Sequence, residues 1–451
     1  MRFRLPMLAL AGMLLLPQAA SAQTVITYED AVRIALDQNV ALRRAQNSLE
    51  LQATSLSQAR AARLPNLNFS TSTGRNWGLQ FDLTTGRLET SSSDRFSLSA
   101  SSGVTLFDGF AMGANVDQAE AALEAQEFSL ENSKQATVLA VGSEYLQVFL
   151  DQQQIRIQEE NLAAQQQQLE RIVEFVRVGQ RPISDQYVQE VQVANAEASL
   201  LTAQRSLQLS ESRLINTLQL DPLESWIFQA PSPDDIELTL RSYNPDELLR
   251  TAYAQRQDLK ASEFLITAAE AGITVAKSSR LPRVSLSAGA STSYSSFGRD
   301  PLTGQTASFD DQLADNRSRN IGLNLSLPIF NRFQTRNSVE RAQVQLSNAR
   351  LDLENIRQSI ALDVRQAYLD YQTAVKRLEV TEKQVQSARQ ALEVEQARYD
   401  VASSTLVELT QARASFVDAE SQRLSAIAQF YFQQTLIEFY LGALSADNPL
   451  F

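Results

Sequence analysis

Apolar residues recur at alternating gaps of three and four along Gln334 to Tyr440, a stretch without glycine or proline. Val364, Tyr371, Leu378, Val385, Leu392 and Tyr399 form one row; Ile360, Ala367, Ala374, Thr381 and Ala388 form a smaller companion row. This heptad spacing predicts a long helix held against a neighbour by knobs-into-holes packing. Over 332–401, at about 1.5 Å per residue, the helix is a rod of about 100 Å. An equivalent row, Val141, Val148, Ile155, Leu162, Leu169 and Val176, predicts a second rod over 110–178, closed by Gly179. Shorter stripes predict helices at 27–63, 184–220, 245–280 and 405–441, with Thr27 and Ser184 as N-caps.

After Leu64-Pro65 and after Leu281-Pro282 the period changes to two. Strands are predicted at 65–77 and 95–107, joined by a polar, glycine-containing loop from Gly78 to Asp94, and again at 282–297 and 318–328. Phe96, Leu98, Ala100, Val104 and Leu106 share one face, while Ser97, Ser99, Ser101, Gly103 and Thr105 share the other. One such hairpin fits a soluble sheet with one buried face as well as a barrel wall. Two of them, with aromatics at both ends (Trp77 and Phe81, Phe107 and Phe110), favour a barrel with lipid outside and water within.

The whole pattern occurs twice. Asp30, Val32, Ala35 and Leu42 recur 217 positions later as Glu247, Leu249, Ala252 and Leu259; past the hairpin loop the offset is 223, carrying Phe107 and Phe110 to Phe330 and Phe333. This divides the chain into repeats at 23–243 and 244–451, with proline-rich 221–243 and the tail 442–451 expected as a belt at mid-height. The expected fold is mainly α with a transmembrane β-barrel: one long helix beside a stacked pair, under one hairpin, in each repeat. Four strands cannot close a barrel, and open strand edges are forbidden in lipid, so several chains must share one barrel.

Composition narrows the chemistry. Arg2 and Arg4, an apolar core around Met7 to Leu16, and Ala20-Ser21-Ala22 read as a signal peptide at 1–22, too short to span a membrane. The chain has no cysteine and no histidine, which excludes disulfides, Ser-His-Asp and Cys-His catalysis and Cys/His zinc sites. No cofactor or metal site is expected, and no enzyme activity; a surface hydrolase is the third reading, without a catalytic constellation. The net charge of −12, with both signs mixed along the helices, argues against a nucleic-acid partner. A periplasmic coiled-coil adaptor is the alternative function, disfavoured by the paired hairpins.

These residues resemble the TolC family of outer-membrane efflux proteins. Leu106-Phe107-Asp108-Gly109 matches the family's turn before the rod, whereas the second copy reads Pro328-Ile329-Phe330-Asn331-Arg332. Pro65, Pro282, Phe107, Gly109 and Phe330 then mark the helix–strand transitions. The resemblance implies a homotrimer with a 12-stranded barrel on a 12-helix tunnel, set in the outer membrane of a Gram-negative bacterium with most of the chain in the periplasm. It also implies partners: outer-membrane lipid, a periplasmic adaptor protein, and an inner-membrane pump of the RND or ABC type. The chain would be the passive exit duct of a tripartite efflux or type I secretion system. Val178, Gly179, Gln180 and Arg181, with Val401, Ala402 and Ser403, would form the adaptor-docking turns. Asp185, Tyr399, Ser404, Glu408 and Gln411 would form the periplasmic gate, with the Tyr399 phenol bonded to Asp185, so that Tyr399→Phe would raise conductance. Ser404 stands where some relatives carry a clamping arginine, and Glu408 and Gln411 stand at an acidic ring. Simple helix capping by Asp185 and Glu408 remains the alternative.

Overall fold

The computed structural model of the chain describes residues 24–82, 86–229, 240–300 and 305–442. The expected leader at 1–22 and the tail beyond Gly442 lie outside the described residues, as does 230–239 within the expected belt. The chain runs β1 (Thr24–Ile26), α1 (Tyr28–Gln38), α2 (Val40–Ala61), β2 (Asn66–Asp82), β3 (Arg87–Phe107), α3 (Ala111–Arg177) and α4 (Ile183–Leu218). It continues through β4 (Trp226–Phe228), α5 (Pro245–Gln255), α6 (Gln257–Ser278), β5 (Arg283–Ser295), α7 (Phe309–Asp315), β6 (Ser318–Ser326), α8 (Gln334–Asp400) and α9 (Leu406–Tyr440). The rods α3 and α8 have 67 residues each, about 100 Å at 1.5 Å per residue.

Two layers of helices follow from these lengths. Toward the sheet, α2, α3, α6 and α8 pack in that order; toward the α3–α4 and α8–α9 turns the order is α4, α3, α9, α8. Between the layers the sequence predicted unbroken helices at 27–63 and 245–280, and both are broken. At Asn39 (ψ 127°) the side chain accepts from the amides of Ala41 and Leu42 at 2.9 and 3.2 Å, capping α2. Its amide group donates to the Thr217 carbonyl at 3.1 Å, joining the start of α2 to the end of α4. Asn competes with helical bonding in this way at caps. At the corresponding Arg256 (ψ 129°) the guanidinium takes over, bonding Asp258 at 2.5 Å and facing the Tyr440 ring at 5.6 Å.

The main core lies at this joint. In one cluster, Ala31, Val32 and Ala35 of α1 meet α3, which contributes Val141, Tyr145 and Phe149, while Leu248 and Ala252 of α5 meet α8, which contributes Ile360, Val364, Ala367 and Tyr371. Part of 221–243 is held here: β4 pairs in parallel with β1. The Tyr145 hydroxyl lies 2.5 Å from the Gln229 carbonyl, and the Tyr371 hydroxyl donates to the Arg241 carbonyl at 2.9 Å while accepting from its amide at 3.0 Å. The seam positions Val141, Val148, Ile360, Val364, Ala367 and Tyr371 are buried; farther along, Ile155, Leu162 and Leu169 are only partly covered.

The four long strands form one antiparallel sheet in the order β2-β3-β5-β6. Up to a register shift between Thr105 and Phe107, the alternation runs across all four: Leu67, Ser102, Ala288 and Ile321 lie in one row, and Asn68, Ser101, Gly289 and Asn320 in the next. On the polar face Ser70 meets Ser99, and Ser72 meets Ser97, each at 2.7 Å. The apolar face is bare, with Leu67 80% and Ile321 82% exposed. The expected loop at 78–94 is largely strand instead: β2 and β3 stay paired from Asn76–Ser93 up to Asp82–Arg87. Trp77, Leu79, Phe81 and Leu88 prolong the apolar face there, hidden from a period count by the surrounding Ser, Thr and Gly. In the β5–β6 connection the short α7 sets Phe309 against Phe96 and Tyr294, a helix the sequence did not predict.

Where strand turns into rod, the repeats solve one problem with different residues. Gly109 and Phe110 have φ of 71° each, and Arg332 and Phe333, 223 positions later, have 54° and 61°. Phe107 meets Phe110, and Phe330 meets Phe333, edge-on at 87° in both cases. Pro65 and Pro282 stand immediately before β2 and β5, four positions after the ends of α2 and α6. A Cβ on Gly109 would lie 2.6 Å from the Ser278 carbonyl oxygen and 2.8 Å from Leu281 Cβ, so the end of α6 rests on this turn. Gly109→Ala is therefore expected to destabilise the protein by about 1–3 kcal/mol, read as a lower Tm in detergent. Arg332→Gly relieves a left-handed side chain in an exposed turn, and its Tm should stay level or rise.

Candidate functional site

The two turns at the far end of the rods meet each other. In the first, the Gly179 amide (φ 74°) bonds the Val176 carbonyl at 3.0 Å, and the Gln180 amide bonds that of Phe175 at 2.8 Å. In the second, Ala402 (φ 59°) bonds Tyr399 at 3.0 Å and Ser403 bonds Arg398 at 2.8 Å. Both close a rod with the same left-handed cap. Val178, Gly179 and Gln180, and Val401, Ala402 and Ser403, are exposed at the end of the molecule; Arg181 is not, and turns inward.

The helices that follow start differently. Thr405 caps α9: its Oγ1 accepts from the Glu408 amide at 3.3 Å, while Glu408 Oε2 accepts from the Thr405 amide at 2.8 Å, a complete capping box. The Ser404 hydroxyl is buried between Glu395 Oε2 at 2.6 Å and Glu408 Oε2 at 2.8 Å, and Arg398 binds the other Glu395 oxygen at 2.6 Å. The hydroxyl has one proton, so it donates to one carboxylate at a time. Glu408 thus caps the start of its own helix. Helix α4 begins one residue before the expected Ser184 cap, with Pro182 in the cap position and no side-chain cap. Asp185, equivalent to Glu408 in its helix, has no hydroxyl to pair with, and its carboxylate makes no side-chain hydrogen bond among the described residues.

Tyr399 is 0% exposed, packed with Ile172, Leu406 and Leu409. The expected phenol–Asp185 bond is not formed: Tyr399 Oη has no hydrogen-bond partner among the described residues. Arg181 holds this residue instead. Its Nη2 donates to the Tyr399 carbonyl at 2.9 Å and its guanidinium carbon lies 4.4 Å from the ring centroid. Burial raises the phenol above its ordinary pKa; Arg181 opposes that, and Asp185 adds to it. The sequence named Arg181 as a docking residue and missed this contact, because a cation facing a ring across two helix pairs leaves no spacing signal. Gln411 is exposed on α9. Deeper in, Arg413 is pushed below its ordinary pKa by burial and by Arg171, and bonds Gln396 at 3.4 Å.

The Thr405 and Ser404 donors, with Arg398 nearby, hold the Glu408 carboxyl below 4.5. Its contribution to the start of α9 is complete above that value and is lost as pH falls through the lowered one. Hydrogen exchange in the first turn of α9, corrected for the intrinsic rate, should rise in that acid range. Glu408→Gln should flatten this dependence, and Thr405→Ala should cost about 1 kcal/mol at any pH.

No helix among the described residues is long and apolar enough to cross a membrane. The described lipid-compatible surface is the apolar face of the sheet. The chain matches the family described as outer membrane efflux protein over residues 31–218 and 248–443. It is similar to the outer membrane protein TolC of Escherichia coli, 23% identical over 98% of this chain and 86% of that protein. It is also similar to the outer membrane efflux protein BepC of Brucella suis, 23% identical over 76% of this chain and 71% of that one. Its fold follows that of the outer membrane protein VceC of Vibrio cholerae, with a TM-score of 0.75 at 19% identity, covering 92% of this chain and 96% of that one. The chain belongs to the outer membrane efflux protein family.

Proposed function

We propose that three copies of this chain form one exit duct through the outer membrane, passive in itself and driven by a partner pump. What supports this above all is that the chain is an open arc in every layer, with its loose ends on matching flanks. The sheet ends in β2 on one side and β6 on the other; the helical layers end in α2 and α4 on one side and α8 on the other. The edge strands β2 and β6 each have one unpaired side, and the end helices α4 and α8 keep Tyr187, Val191, Val380 and Val394 exposed. Pairing β2 of one copy with β6 of the next satisfies both edges, as a membrane requires. Three arcs of four strands give a 12-stranded barrel, a size that leaves a water-filled lumen. The helices beneath become a tunnel of 12 about 100 Å long.

In this reading the chain divides into the repeats 23–243 and 244–451, and the β1–β4 region belts the tunnel. The tip faces the periplasm. Val178, Gly179 and Gln180 with Val401, Ala402 and Ser403 meet an adaptor protein, which links the duct to an inner-membrane pump. Tyr399, Asp185, Ser404, Glu408 and Gln411 surround the constriction. With Glu408 engaged in its cap, Asp185 supplies the unpaired carboxylate there, three per duct. A deletion strain and its complemented parent test the role: efflux of a fluorescent hydrophobic cation, or the protein content of the medium, should fall on deletion and return on complementation. Both unchanged would contradict an export duct, and recovery of the chain without detergent in the periplasmic fraction would favour the adaptor reading.

A further inference from the structure

We propose that Arg181 is the latch of the tip, a positioning residue that ties the α3–α4 pair to the α8–α9 pair by gripping Tyr399. The inference rests on reading the tip as the constriction of the duct. Arg181 sits in the α3–α4 turn, yet both its contacts are to the end of α8: the Tyr399 carbonyl at 2.9 Å and the ring face at 4.4 Å. A cation is well placed at a helix C-terminus, where carbonyls lack intrahelical partners. A guanidinium can also stack on a ring while donating in its own plane, which an ammonium cannot.

Nothing else polar on Tyr399 helps to bind the two pairs. The phenol is buried without a partner, and Asp185 makes no side-chain bond among the described residues. Ser404, on the other turn, bonds only within the α8–α9 pair, to Glu395 and Glu408. The polar link that crosses between the pairs here is thus a single side chain. Release requires Arg181 to let go and Tyr399 to part from Ile172, an apolar contact with no directional bond to break. The two residues lie 218 positions apart in the chain, so the contact joins two helix pairs that are each continuous in sequence.

Conductance of the purified full-length channel in planar bilayers tests this. Arg181→Ala should shift the closed-to-open ratio by about tenfold toward open, a change one charge-assisted bond with a cation–π contact can supply. Arg181→Lys, which keeps the charge and a donor but not the planar stacking, should fall between that variant and wild type. Tyr399→Ala should open the channel, and adding Arg181→Ala to it should change nothing more. Tyr399→Phe should behave as wild type, because the phenol oxygen contributes no bond. Wild-type conductance of Arg181→Ala beside an open Tyr399→Ala would overturn the latch and leave the constriction standing; an additive double variant would also overturn it. Wild-type conductance of Tyr399→Ala itself would remove the constriction. If Arg181→Ala fails to assemble, Arg181→Gln gives the same comparison.

Discussion

A strand edge in hydrocarbon has no water to satisfy its N–H and C=O groups, and each unsatisfied group costs several kcal/mol. This chain offers four long strands and leaves the edges β2 and β6 open. Everything below the sheet is consistent with that constraint being met by further copies. The helical layers stop on the same flanks as the strands, and the end helices α4 and α8 keep apolar residues exposed.

The joint between the helical layers decides how a rod of 67 residues is matched by shorter helices. Asn39 ends one helix and begins the next, and binds the end of α4 with the same amide. Arg256 does the equivalent work with charge and an aromatic face. The repeats thus share geometry while differing in chemistry, as Gly109 and Arg332 do at the strand–rod turns. The tip shows the same divergence: Thr405 and Glu408 make a reciprocal cap, whereas Pro182 supplies none and leaves Asp185 without one.

Much of this was legible in the residues. Heptad rows located both rods, period two located the strands and their faces, and two constant offsets tied the halves together. Failures arose where side chains act without periodicity. Asn39 interrupts a helix through its own amide, with the flanking stripe of apolar residues uninterrupted. The outer half of the first hairpin is Ser- and Thr-rich and carries Gly78 and Gly86, so its pairing looked like loop. At the tip, the resemblance pairs Tyr399 with Asp185, whereas the observed contact is with Arg181. Contacts between elements 218 residues apart depend on the angle at which two helix pairs meet, which no local pattern encodes.

The number of chains in the detergent-solubilised particle tests the account most directly. Symmetry in electron-microscopy class averages, together with the particle mass, gives that number. The account predicts three copies around one axis, with the sheets joined into a single ring above the helices. A monomer with its sheet edges open, or a particle in which β2 and β6 of neighbouring chains do not meet, would contradict it.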